Sequence, residues 1–169
     1  MGQHTSRKEK YCKTYWIERR NFNNIDIQKS LKLSNSKFVE GSTKNIHFGL
    51  IHRFLHTRSR QAYISSESDS NCKYCLTLGL FNRETIIHCF LDCPKVIDFC
   101  PNLENILKLS EPNLVLTDYV KIFGARSKEN ISQIVMNYLI QYAHKCIWKN
   151  RQKLENKDID INLWNDYKE

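Results

Sequence analysis

The sequence points to a mostly α-helical domain with a small Cys/His knuckle (CCHC) in its middle and a long helix near its C-terminal end. Three observations carry this. Pro and Gly number only 3 and 5 in 169 residues, too few for a turn-rich β sandwich. Leu, Ile, Phe and Tyr recur at spacings of three and four, the helical period. Four metal-ligand side chains, Cys72, Cys75, His88 and Cys93, fall in one short segment as C-x2-C-x12-H-x4-C. Those spacings let four side chains close around one tetrahedral ion.

Composition sets the outer bounds. The chain is 41% hydrophobic and 26% charged, enough apolar surface for a core and too much for wholesale disorder. The net charge is +8, with a pI near 9.1. The excess is uneven: residues 1–70 hold 13 Lys/Arg against 6 Asp/Glu, and residues 71–169 hold 13 against 12. A basic N-terminal part attracts phosphate backbones or anionic lipid. No run of about 18 apolar residues is present, so no transmembrane segment is expected. Met1 to Lys10 lacks the apolar stretch of a secretory signal. Seven cysteines, an odd number, favour reduced thiols over a disulfide framework. The expected compartment is therefore intracellular, nucleus or cytoplasm.

The elements follow in order. Residues 1–43 read as a basic leader and loose linker. Within them Tyr11 to Phe22 suggests an amphipathic helix with an aromatic face, and the Asn-, Ser- and Lys-rich stretch 23–43 has weak periodicity. Residues 44–155 read as the helical metal-binding domain, with the knuckle at 72–93. Lys44 to Arg58 is expected as one helix, with Ile46, Leu50 and Phe54 on its apolar stripe. Ser65 to Asn71 reads as a loop and Leu76 to Phe81 as a small hairpin or turn. Arg83 to Leu91 reads as a short helix carrying His88. On an intact helix His88 and Cys93 point in divergent directions. Pro94 disfavours the α conformation at Cys93 and so lets that thiolate turn back. Lys95 to Leu109 is expected as helix, with a restart at Pro101. The longest helix is expected over Lys128 to about Leu154, capped by Ser127, with Ile131, Val135, Tyr138, Tyr142 and Cys146 on one face. Residues 156–169 read as a polar tail.

The quartet Cys72, Cys75, His88 and Cys93 would give zinc a closed structural site with no open position for water. The alternative is four packed core side chains, and the spacing argues against coincidence. Cys100 is a second choice for the place of Cys93, Cys89 is a spare, and Cys12 and Cys146 read as packed thiols. Just before the knuckle, Arg53, Arg58 and Arg60 stand among His52, His56, Thr57 and Ser59. Guanidinium groups grip phosphates bidentately, so these three are candidates for RNA or DNA backbone contacts, with Lys149 and Arg151 as a second set. The alternative is a solvated helix face beside a core stripe. Asp158, Asp160 and Asp166 read as solvated rather than as a nuclease cluster.

Cys72-x2-Cys75, then Glu84-Thr85-x2-His88-x4-Cys93-Pro94, resembles the zinc-binding region of LINE-type (non-LTR) retrotransposon reverse transcriptases. In that family Cys-x2-Cys is followed by a variable loop, Glu-Thr-x2-His and a final Cys. His52-Arg53-Phe54-Leu55-His56-Thr57-Arg58 is similar to the basic helix before the family's first Cys. Ile122-Phe123-Gly124 and the long helix ending Lys145-Cys146-Ile147-Trp148-Lys149-Asn150-Arg151 are similar to its closing helix. The resemblance covers roughly residues 44–152. Leu76 stands where the family usually has Gly, and Phe99 where it has Trp. The resemblance implies a non-catalytic module that holds RNA or DNA beside a reverse transcriptase core, as a fragment, a truncated copy or a host-derived protein. The polymerase Asp-Asp pair is absent from this chain.

Met1-Gly2-Gln3-His4-Thr5-Ser6, followed by Arg7-Lys8-Glu9-Lys10, also satisfies the N-myristoylation pattern at Gly2. One acyl chain with a polybasic patch would hold a protein on a membrane. Two alternatives therefore stand beside nucleic-acid binding. One is a membrane-associated adaptor attached through Gly2. The other is a metal-free helical interaction module that uses the long helix as its partner surface.

Overall fold

A computed structural model describes residues 7–22, 25–34, 37, 39–65, 68–126, 130–155 and 167. Gly2, the proposed cap Ser127, and residues 156–166, 168 and 169 of the tail lie outside the described residues. The architecture is helical: α1 (Arg7–Arg20), α2 (Ile27–Ser34), α3 (Gly41–Ile51), α4 (Arg58–Ile64), α5 (Lys73–Thr77), a π turn (His88–Asp92), α6 (Pro94–Lys108), α7 (Asp118–Phe123) and α8 (Asn130–Glu155). Among the described residues there is no strand, only one antiparallel bridge between Asn71 and Arg83. None of the described helices is long and apolar enough to cross a membrane.

Helix α8 is the spine, packing along α3, α2, α5, α6 and the π turn. Its buried stripe is Met136, Ile140, Ala143 and Ile147. This matches the face expected from the sequence only toward its C-terminal end, where Cys146 is buried and Tyr142 half-buried, since Ile131, Val135 and Tyr138 are 79%, 40% and 39% exposed. The reason is that the core-facing side also carries Asn137, Gln141, His144, Asn150 and Arg151, all buried. Polar residues on a buried face hide it from an apolar-periodicity reading.

Those polar groups have work to do. The Asn137 side-chain amide accepts from the Ala125 N–H at 2.9 Å and donates to the Ala125 carbonyl at 2.9 Å. That pairing clamps the turn after α7 onto α8. Gly124 holds φ +92°, and a Cβ there would lie 2.1 Å from Asn137 Oδ1. Only glycine meets both conditions at this position. The α3–α8 interface holds a second buried polar pair. His144 Nε2–H donates to the Lys121 carbonyl at 2.6 Å, which leaves its Nδ1 to accept from His47 Nδ1–H at 3.2 Å. Burial drives both imidazoles toward the neutral form, His144 down to about 4 and His47 well below its usual range.

Three further expectations are corrected. The stretch 23–43 is not a loose linker throughout: α2 buries Ile27, and Ser30 Oγ–H donates to the Phe123 carbonyl at 2.7 Å. Trp16 of α1 is fully buried against Phe22 and Phe123, and its Nε1–H donates to the Ile51 carbonyl at 3.1 Å. Thus α1 and α2 share one core with the rest. The helix expected over Lys44–Arg58 instead ends at Ile51. The chain turns at Arg53 (φ +60°) and restarts as α4 at Arg58, leaving Phe54 48% exposed. Helix α6 runs through Pro101 without a restart. The carbonyl left without a donor is that of Ile97, on a 53% exposed residue at the helix surface, where water can serve it.

Candidate metal centre and basic cleft

The knuckle is built by three local devices. The Asn71–Arg83 bridge and the Cys72 N–H donating to the Asn82 carbonyl at 2.8 Å close its base. Helix α5 carries Cys75 and ends in a Schellman turn. Its Leu80 N–H reaches the Cys75 carbonyl (2.8 Å) and its Gly79 N–H reaches the Leu76 carbonyl (3.0 Å), with Gly79 at φ +72°. The turn's glycine is therefore Gly79, and Leu76 lies inside α5. The third device is the π turn.

That π turn resolves the divergence of His88 and Cys93. Five residues of α helix rotate a side chain by about 140° from its starting direction. Here the Cys93 N–H reaches five residues back to the His88 carbonyl at 2.8 Å, which widens the turn. Cys93 itself is extended (φ −67°, ψ 129°), as a residue before proline should be. Thr85 Oγ1 accepts from the His88 N–H at 3.1 Å and caps the segment.

As a result Cys72, Cys75, His88 and Cys93 are all buried, with their ligand atoms within 4.8 Å of one another. Cys75 Sγ lies 3.3 Å from His88 Nε2. Tetrahedral bonds of about 2.3 Å separate neighbouring sulfurs by about 3.8 Å, so the four atoms already stand at nearly the right spacing for one ion. No disulfide forms among the described cysteines. The neighbouring Cys93 side chain favours the Cys72 thiolate, while Cys72 and burial hold the Cys93 thiol up. A bound cation would favour the thiolate at both. Asn82 Nδ2–H donates to Cys75 Sγ at 3.5 Å from outside the quartet. Cys89 is buried, Cys100 is half-buried, and neither belongs to the cluster. Cys12 packs 3.5 Å from His52 Nδ1.

Glu84 ties this centre to two helices. Its Oε1 accepts from the Arg58 backbone N–H at 2.8 Å and from Arg151 Nε–H at 2.7 Å, and its carbonyl accepts from the Ser59 N–H at 3.1 Å. One residue inside the knuckle thus anchors both the start of α4 and the end of α8. Burial raises the Glu84 carboxyl above the usual range, while Arg151 and the Arg58 N–H pull it back. Arg151 lies over the Trp148 ring, 4.6 Å from its centroid. Of the candidate phosphate contacts, Arg151 is therefore corrected: it is buried and spent on Glu84 and Trp148.

The other candidates divide. Lys149 is exposed on α8, away from its buried stripe. Arg58 is half-buried and pairs with Asp69 at 3.4 Å. Arg53 and Arg60 line an open cleft of about 1390 Å³ between α1, the 52–60 turn and the knuckle. Arg53 lies 3.5 Å from the Tyr15 ring centroid and 5.7 Å from that of Tyr11, and its carbonyl accepts from Arg60 Nη1–H at 2.9 Å. Arg19 and Arg83 line the same cleft, as do Tyr11 and Tyr63. Sequence reading placed neither arginine there. The available signal was the i, i+4, i+8 series Tyr11, Tyr15, Arg19 and the i, i+3 pair Arg60, Tyr63, each on one helix face.

No family model, curated protein or solved structure matches this chain.

Proposed function

We propose that the chain is a non-catalytic nucleic-acid-binding module in which one structural zinc ion pins the knuckle. Three thiolates and an imidazole suit zinc, and with four protein ligands the ion has no position left for a substrate. The observation that carries the reading is the convergence of the quartet together with Glu84, which leads from the knuckle to the arginine-bearing α4. Zinc then acts on binding indirectly, by fixing α4 and its flanking turn. The resemblance of residues 44–152 to the zinc-binding region of LINE-type reverse transcriptases supports the same reading, with a reverse transcriptase core as a proposed partner.

The test is fluorescence anisotropy of labelled RNA and DNA against the zinc-loaded chain over a range of salt. The expected result is a linear fall of log affinity with log salt, as counterions return to the phosphates. A salt-independent curve, or no binding at low salt, sinks the proposal.

A second reading is favoured by one observation. Ile131, Ile134, Val135 and Tyr138 leave an apolar stripe exposed on α8, which suits a protein partner. Nucleic-acid binding that survives polar substitution of this stripe would separate the two.

A further inference from the structure

The cleft has a composition beyond a generic basic surface. Tyr63 is 88% and Tyr11 is 70% exposed, and Phe54 beside them is 48% exposed. Exposed aromatic side chains gathered in one cleft mark an interaction site, where singly scattered ones would not. Among the described residues, Arg19, Arg53, Arg60 and Arg83 have no carboxylate partner, while Arg20 at the rim is held by Asp92 and Asp118. The volume, about 1390 Å³, exceeds the roughly 300–1,000 Å³ of a small-molecule pocket, so the cleft fits a segment of polymer.

The geometry interleaves the two chemistries. Tyr11, Tyr15 and Arg19 follow one face of α1. Arg60 and Tyr63 follow one face of α4. Arg53 bridges the two, its guanidinium over Tyr15. Arg83 enters from the base of the knuckle, at the bridge with Asn71. A duplex hides its base faces inside the stack, so exposed tyrosines gain nothing from it. A single strand offers both phosphates for the arginines and base faces for the rings.

Resting on the nucleic-acid reading above, we infer that this cleft binds a single-stranded segment of RNA or DNA, with Tyr63 and Tyr11 stacking on bases and Arg19, Arg53, Arg60 and Arg83 on phosphates. The site takes in α1, so the N-terminal helix is part of the binding surface.

The test compares labelled oligo(U), oligo(dT) and a mixed-sequence duplex of about 12 nucleotides, a length within the range one small module covers, on the zinc-loaded full chain. Single strands should bind at least about tenfold tighter than duplex. Tyr63→Ala should weaken single-strand binding by roughly tenfold or more and leave duplex binding unchanged, and Tyr63→Phe should restore it. Tyr11→Ala is the second variant, and far-UV circular dichroism with zinc content checks the fold of each. The ratio of oligo(U) to oligo(dT) affinity tells which strand is preferred. Duplex binding equal to or tighter than single-strand binding, or no effect of either tyrosine, overturns the single-strand site and leaves the phosphate reading standing. Absence of binding to all three probes at low salt overturns both.

Discussion

Glu84 and Arg151 form a buried ion pair across 67 positions of sequence, with Arg151 Nε 2.7 Å from Glu84 Oε1 and side chains only 2% and 9% exposed. The pair locks the knuckle to the last turns of α8. Removing one partner strands the other charge away from water, which typically costs about 3–5 kcal/mol. Arg151→Ala and Glu84→Gln should each lower stability by that order in urea unfolding. The double variant Glu84→Gln, Arg151→Ala should lose clearly less than the two single losses combined. Additive losses would mean that the two residues act separately.

The Gly124–Asn137 contact gives a sharper local prediction. Gly124→Ala places a Cβ against Asn137 Oδ1 at φ +92°, ψ 165°, a conformation essentially confined to glycine. Strain of about 1–3 kcal/mol adds to the disturbed clamp on Ala125. A melting temperature lower by several degrees is expected. An unchanged melting temperature would show that the turn tolerates a side chain.

Stability should fall with acid through the His47–His144 pair. Both imidazoles are neutral in the fold, where burial depresses them, and both take up protons near pH 6.5 when unfolded. Between about 6.5 and about 4 the unfolded chain binds more protons, so stability is present above that window and lost as pH falls through it. The slope approaches about 1.4 kcal/mol per pH unit for each histidine. A His47→Gln, His144→Gln variant should give a visibly flatter profile. Equal slopes would show that other groups set the acid sensitivity.

The arginines should separate by role. Arg60→Ala should weaken nucleic-acid binding for all sequences, reduce the salt slope by about 1, and change stability by no more than about 0.5 kcal/mol, because Arg60 is exposed and its bond to the Arg53 carbonyl is open to water. Arg151→Ala should do the reverse, lowering stability first. Equal effects from both would refute the division made by burial.

Much of this was legible in the sequence. The quartet was readable because ligand spacing is a local property, and Pro94 correctly forecast an extended Cys93. The π turn was not readable, because its wider hydrogen-bond register depends on where His88 must face. Glu84 and Thr85 were visible as part of a motif, but their tasks depend on Arg58, Arg151 and the His88 N–H, contacts that only the fold creates. The N-terminal half of the α8 face was hidden for a related reason: Asn137, His144 and Arg151 are buried by pairing, and pairing leaves no apolar trace, whereas Cys146 and Tyr142 do face the core. Likewise α2 was obscured by its polar neighbours, and its burial is set by contact with α3 and α8.

The most direct test is the metal content of the chain, purified without chelator and measured by elemental analysis alongside Cys75→Ser. Close to one equivalent of zinc per chain is expected, lost or sharply reduced in Cys75→Ser with a large drop in melting temperature, since binding energy at such a site is folding energy. Less than about half an equivalent in the wild type, or a Cys75→Ser chain of unchanged stability, would contradict a metal-pinned knuckle.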